Sequence, residues 1–367
     1  MTNRRDFIKK AAVITTAATL PGVLSSCMRK DKKGSSYSGA EVKWKMATTW
    51  PPNFPVLGEL MIRFSELVDQ MSGGRFKIKV YGGGELVPAM ESFDAVKQGN
   101  VEIVHSASYY WAGKEPAAIF FTGLPYGMNA PQTSAWMYFG DGLKLWTELY
   151  AKHGLIPLPG GNTSGQMGGW FRKEIKSVED FNGLKMRIPG VGGKVLAKLG
   201  TSSLLFPGGE LYTNLERGVL DALEWVGPYH DYKMGFHRVA PYYYYPGWQE
   251  PSGATEFIIN KVAFDKLPDD LKSILKGAAG FIDSLITSEM IAKNAEYLDV
   301  IKKEESIKLM KFPDEVLKVL RQKTDEVITE IVEADPFNKK IFESYRKFQN
   351  LTTELFKISE WNYQSNT

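Results

Sequence analysis

Apolar and polar positions alternate with a period of two over residues 42–48, 76–81, 101–105, 154–158, 185–188 and 256–260, which predicts six strands. Between them apolar residues recur every three or four positions, predicting helices over 56–71, 90–98, 134–151 and 194–199. After residue 265 the texture changes. Residues 267–299, 314–333 and 338–359 read as long amphipathic helices, the first two with proline near their starts. Strands alternating with helices, then a run of long helices, predict an α/β protein with a helical appendage.

Residues 11–24 are apolar but too short, and too rich in Thr, Pro and Gly, to span a bilayer, and they follow the basic start Arg4-Arg5-Asp6-Phe7-Ile8-Lys9. The arginine pair resembles a twin-arginine export signal, and Leu24-Ser25-Ser26-Cys27 resembles a lipobox, whose cysteine is acylated and becomes the first residue. On this reading residues 1–26 are a signal peptide and Cys27 carries lipid. Residues 27–40, polar with Gly and Ser, then tether a membrane-anchored lipoprotein in the periplasm. The single cysteine is spent on the lipid, which leaves none for a disulfide or for thiol chemistry. Arg4, Arg5, Lys9 and Lys10 against Asp6 account for the whole formal charge of +3, so the exported body is close to neutral and nucleic acid is not an expected partner.

The body exceeds the length at which one core stops growing, so residues 41–330 are expected to form two lobes. Gly and Pro are spread throughout and no linker divides the stretch. The lobes therefore interleave, with the chain crossing more than once, an architecture suited to a hinge. Residues 331–367 form a helical extension. Its Phe342, Tyr345, Phe348, Leu351 and Phe356 stand at heptad-like spacing. They either pack on their own lobe or swap onto a second subunit, and the expectation is a homodimer.

Enzyme signatures are nearly absent: there is no nucleophile elbow and no phosphate-binding glycine loop before a helix. Histidines 105, 153, 230 and 237 are scattered and read as structural hydrogen-bonding groups, and Gly82-Gly83-Gly84 reads as a tight turn. What stands out is a set of aromatic, Gly- and Pro-rich segments: 108–113, 165–171, 186–190, 223–229 and 242–251. Each sets a polar or charged group among large rings at the end of a predicted strand. Ligand sites are built that way, the rings excluding water and a few polar atoms fixing orientation.

An exported lipoprotein carrying Met186-Arg187-Ile188-Pro189-Gly190, then Asn214-Leu215-Glu216-Arg217-Gly218-Val219-Leu220-Asp221-Ala222 and Glu224-Trp225, resembles the substrate-binding component of tripartite ATP-independent periplasmic (TRAP) transporters. The likeness runs from about Lys43 to about residue 330. Residues 224–229 and 242–251 resemble the branch that binds 2-oxo and 2-hydroxy monocarboxylates with a cation. The resemblance implies a two-lobed periplasmic binding protein-like fold with a hinge, no catalysis, and delivery of a small organic acid to the membrane subunits of a TRAP permease.

It also implies roles for residues. Arg187 matches the carboxylate-binding arginine, and only Arg offers a planar fork of donors to both oxygens. Gln166 stands where other branches often carry a second cation, so a metal ion is the expected replacement, held by the Gln166 amide oxygen, by Glu224 or Glu250, and by the Trp225 carbonyl. Oxygen donors without Cys or His indicate Ca²⁺ or Na⁺. Two glutamates and a monocarboxylate balance Arg187 and Ca²⁺, whereas Na⁺ leaves one negative charge buried, which favours Ca²⁺ with Na⁺ as the alternative. Tyr110 is the candidate donor to the carboxylate, with Tyr109 as its rival. The competing readings are a dicarboxylate-binding relative, a Tat-exported enzyme, and a structural lipoprotein or adhesin.

Overall fold

The computed structural model describes residues 41–367, so the signal peptide, Cys27 and the tether lie outside the described residues. Its strands are Val42–Thr48 (β1), Phe76–Tyr81 (β2), Ile103–Ser106 (β3), Leu155–Asn162 (β4), Gly169–Phe171 (β5), Lys185–Arg187 (β6), Ser202–Leu204 (β7), Ala222–Leu223 (β8), Tyr242–Tyr245 (β9), Ala254–Asn260 (β10) and Lys308–Lys311 (β11). One sheet has the order β2-β1-β3-β10-β4, the other β11-β9-β5-β8-β6-β7. In the first, β1 is parallel to β2 and β3, while β10 runs antiparallel between β3 and β4. In the second, β6 is parallel to β7 and β8, and β5 is antiparallel to β8 and β9.

The chain passes between the sheets three times: after β4 through residues 163–168, after β9 through 246–253, and after β10 through the helix Asp269–Lys303 to β11. That helix buries Leu271, Leu275, Ala278, Ile282, Ile286 and Met290, a stripe at helical spacing. Asp283 Oδ1 on it accepts the Gly161 N–H of β4 (2.8 Å), and Asn294 Oδ1 accepts the Tyr229 N–H beyond β8 (3.1 Å), so one rod supports elements of both sheets. All seven residues of β10 are buried, as a central strand covered on both faces requires.

The six predicted strands are present with small changes of boundary. The helix expected over 134–151 is two helices, Ala130–Phe139 and Gly142–Ala151. Gly140 between them is extended, and a Cβ there would lie 2.8 Å from the Trp136 carbonyl oxygen. The helix expected from residue 56 starts at Glu59, because Val56 has a φ of 58°. Five strands of the second sheet, β5, β7, β8, β9 and β11, have two to four residues each and show no readable period. Within 242–251, read as one ligand segment, Tyr243 and Tyr244 are core: they stack on Trp170 (4.0 Å) and Phe312 (4.5 Å).

In the C-terminal helix Pro336–Ile358, Tyr345 is buried, its hydroxyl accepts the Met128 N–H (2.7 Å), and its ring meets Trp136 edge-on (5.2 Å). Phe342 rests near Phe120 (6.1 Å). Phe342, Tyr345 and Phe348 thus pack on the chain's own helices, while Leu351, Leu355 and Ile358 face outward.

Candidate functional site

Arg187 ends β6 and is fully buried. Parallel pairing sets it opposite Leu223 of β8, which brings Glu224 alongside: the Glu224 N–H donates to the Arg187 carbonyl (3.1 Å). Arg187 Nη1 donates to the Glu224 carbonyl (2.8 Å) and to Glu224 Oε1 (2.5 Å), and Nη2 donates to the Tyr110 hydroxyl (3.2 Å). The guanidinium lies 5.0 Å from the Trp225 ring centroid, and its Nε has no partner. Tyr110 comes from the short helical turn Ser108–Trp111 after β3, so the cluster joins the C-terminal ends of strands from both sheets, the usual place for a ligand in an α/β fold.

Gln166 and Glu250 come from two of the crossings. The Gln166 N–H donates to the Glu250 carbonyl (3.1 Å), and its Nε2 donates to Glu250 Oε2 (2.6 Å) and Thr163 Oγ1 (3.0 Å). Tyr109, Tyr110, Gln166, Trp225 and Glu250 line one cavity of ≈ 10 Å³ between the sheets, about the room of one water. Arg187 and Glu224 stand one layer behind its wall. All the residues singled out in the described part of the chain are therefore gathered in one place.

Burial dominates the electrostatics. The Glu224 carboxyl is raised to about 7 by desolvation, which outweighs the pull of Arg187 even at ion-pair distance. Glu250 is pushed well above the carboxylate range, first by burial and then by the charge of Glu224. Three acceptor oxygens, Gln166 Oε1, Glu224 Oε2 and Gln249 Oε1, are buried without a donor. Two crowded carboxylates and orphaned oxygens suit a hard cation, with Gln166, Glu224 and Glu250 as candidate ligands. Among the described residues no group of three or more His, Cys, Asp or Glu gathers to form a metal site, so the donors would be carboxylate, amide and carbonyl oxygens together.

The polar residues Thr163 and Gln249 carry no periodic signal, and the sequence reading missed them. Gln249 Nε2 donates to the Met167 carbonyl (2.8 Å) and so ties the two crossings. Asp231 was missed as well. Its Oδ1 accepts the N–H groups of Val226 and Gly227 (3.1 Å each), and its Oδ2 accepts from Trp170 (3.2 Å) and Tyr243 (2.8 Å), which fixes the loop behind Trp225. Gly227-Pro228 opening a helix with an acid in its first turn is the signal that marks it. His105 sits between Trp50 Nε1 (2.7 Å) and the Gly160 carbonyl (2.8 Å), and His153 contacts Glu115 (2.9 Å), structural roles in both cases.

A family model for bacterial extracellular solute-binding proteins, family 7, matches residues 46–335. A monocarboxylate 2-oxoacid-binding periplasmic protein of Nostoc sp. is 38% identical over 363 residues, 99% of this chain and 98% of its own. Two solved TRAP periplasmic solute-binding proteins superpose with a TM-score of 0.87. That of Pseudoalteromonas atlantica, with bound sodium and pyruvate, is 43% identical and covers 89% of this chain and 99% of its own. That of Colwellia psychrerythraea, with bound calcium and pyruvate, is 42% identical and covers 89% and 100%.

Proposed function

The chain belongs to the bacterial extracellular solute-binding proteins of family 7, and from that premise we propose that it captures a small 2-oxo or 2-hydroxy monocarboxylate, pyruvate- or lactate-like, together with a cation, for a TRAP permease. The observation that carries this reading is a fully buried arginine with a free Nε beside a ring-lined cavity whose wall carries Gln166 and Glu250. The acid's carboxylate takes the Nε and Nη2 edge of Arg187, next to the Tyr110 hydroxyl, and the rings of Tyr109 and Trp225 exclude water. When bound, the cation supplies positive charge to Glu250 and to the acid's oxygens. With Glu224 paired to Arg187, Glu250 and the acid balance a divalent ion, which favours Ca²⁺ over Na⁺. The pyruvate-bound relatives support the ligand class, and their two different ions leave the choice to charge.

Titration calorimetry with pyruvate tests the reading. Tight binding that weakens at least about tenfold after chelation and dialysis free of Ca²⁺ and Na⁺ is the expected result, since a buried group left unsatisfied costs about 1–3 kcal/mol. No pyruvate binding in any buffer rejects the proposal. Two further parts belong to it. Cys27 anchors the protein in the periplasm by its lipid, which the mass of the exported chain checks. The stripe Leu351, Leu355 and Ile358 pairs two copies, which light scattering of the Leu355→Lys variant checks.

A further inference from the structure

The segment between β1 and the helix Glu59–Met71 leaves the first sheet and closes on residues that follow β8 of the second. Although it is a connecting loop, Phe54, Val56 and Leu57 in it are buried. Asn53 and Val56 hold φ angles of 55° and 58°, a region that a β-branched residue such as Val56 enters only when its surroundings enforce it. The segment's Phe54 and Pro55 reach across to the helix Pro228–Lys233 and to Trp225. Phe54 stacks on the His230 ring (4.8 Å between centroids, 23° between planes) and meets Trp225 edge-on (5.8 Å, 75°). His230 Nε2 lies 2.8 Å from the Pro55 carbonyl oxygen.

His230 is itself fully buried, and burial lowers it to about 4, so the ring is neutral and the hydrogen-bond network assigns its proton to Nε2 as donor. The next residue back, Tyr229, is fixed through its N–H to Asn294 on the long helix (3.1 Å), so the donor stands on a supported element. On the inner side Leu57 lines the same ≈ 10 Å³ cavity as Trp225. Lifting the loop would free both residues and open the wall.

We propose that residues 51–57 are a strap that shuts the cavity against the second sheet, and that His230 is the positioning residue that holds it shut. The inference rests on the acid-capture reading above. It concerns how long the acid stays, whichever acid that is. A hydrogen bond and a ring stack made only in the shut arrangement slow exit and leave entry nearly unchanged.

The test is stopped-flow tryptophan fluorescence with pyruvate as the probe, on the unaltered protein and on the His230→Leu, His230→Gln and Phe54→Leu variants. Leu keeps apolar volume without a donor, whereas Gln restores a side-chain N–H near the place of Nε2. Release from His230→Leu should be about tenfold faster, with association within about twofold, and His230→Gln should recover most of the loss. Phe54→Leu should also speed release, and it carries the test if His230→Leu does not fold. Release at the unaltered rate in both the His230→Leu and Phe54→Leu variants overturns the strap while leaving acid capture standing. Equal loss in the Gln and Leu variants at position 230 overturns the donor's part, and with it His230 as the positioning residue through its N–H. Failure of the unaltered protein to bind pyruvate at all overturns the capture reading itself.

Discussion

At the scale of single residues, Arg187 fixes Glu224, and on the proposed reading it also takes the acid's carboxylate, two roles that one substitution cannot separate. Its Nη1 holds both the backbone and the carboxylate of Glu224, and both side chains are fully buried. Without Arg187, Glu224, already raised to about 7, takes a proton and is left as a buried carboxyl short of its partner, at a cost of about 1–3 kcal/mol of stability. Arg187→Ala should therefore lose pyruvate binding by about a hundredfold or more and also unfold at a markedly lower temperature. Adding Glu224→Gln should leave the stability of the Arg187→Ala variant independent of pH through the range above about 7 where Glu224 would ionise, without restoring acid binding. Calorimetry and thermal unfolding on the single and double variants check this. Pyruvate affinity preserved in Arg187→Ala would remove the arginine from the site.

At the scale of elements, legibility in the sequence followed length and periodicity. β1 reads clearly because Trp44 and Met46 face inward between exposed Lys43 and Lys45 over seven residues. β8 is only Ala222–Leu223, yet its pairing with β6 is what brings Glu224 to Arg187, and nothing in the local pattern announces that register. The residues embedded in unusual strings, such as Arg187 before Ile188-Pro189-Gly190, were readable as candidates, and the structure brings them together. Thr163 and Gln249 were not, since their roles arise only where the two crossings meet. A polar residue in the central strand β10 has its own consequence. Glu256 accepts from Trp111 Nε1 (2.7 Å) and from the Tyr150 hydroxyl (2.8 Å), but burial outweighs both and raises it to about 8. The folded chain therefore binds this proton more tightly than the unfolded chain. The group's contribution to stability is complete below the ordinary glutamate range and is lost as pH rises through about 8. Glu256→Gln, which keeps the shape and cannot ionise, should match the unaltered protein near pH 5 and become the more stable of the two by about pH 9, by up to a few kcal/mol. Parallel thermal unfolding curves across that range would show instead that Glu256 does not titrate there.

At the scale of the whole molecule, strand ends of both sheets supply Arg187, Glu224 and Tyr110, and two crossings supply Gln166 and Glu250, so the cluster forms where the sheets meet. Gln166 and Glu250 are bound to each other across two crossings, and the cavity they line with Tyr109, Tyr110 and Trp225 measures ≈ 10 Å³. On the proposed reading an acid enters only as these groups part around it. With a cation held there, the proposed ligand offers a second oxygen next to its carboxylate, because carboxylate and 2-oxygen together can satisfy one cation in a five-membered ring. Propionate shares the carboxylate of pyruvate and lactate but lacks that oxygen, which leaves a buried partner unsatisfied at a cost of about 1–3 kcal/mol. Pyruvate or lactate should therefore bind at least about tenfold more tightly than propionate in competition calorimetry. Succinate should bind more weakly still: its second carboxylate needs a cationic group where the wall presents the neutral Gln166 amide and the Glu250 carboxyl. A titration in which succinate binds tightest would transfer the protein to the dicarboxylate-binding relatives, and the charge argument for the cation would fall with it.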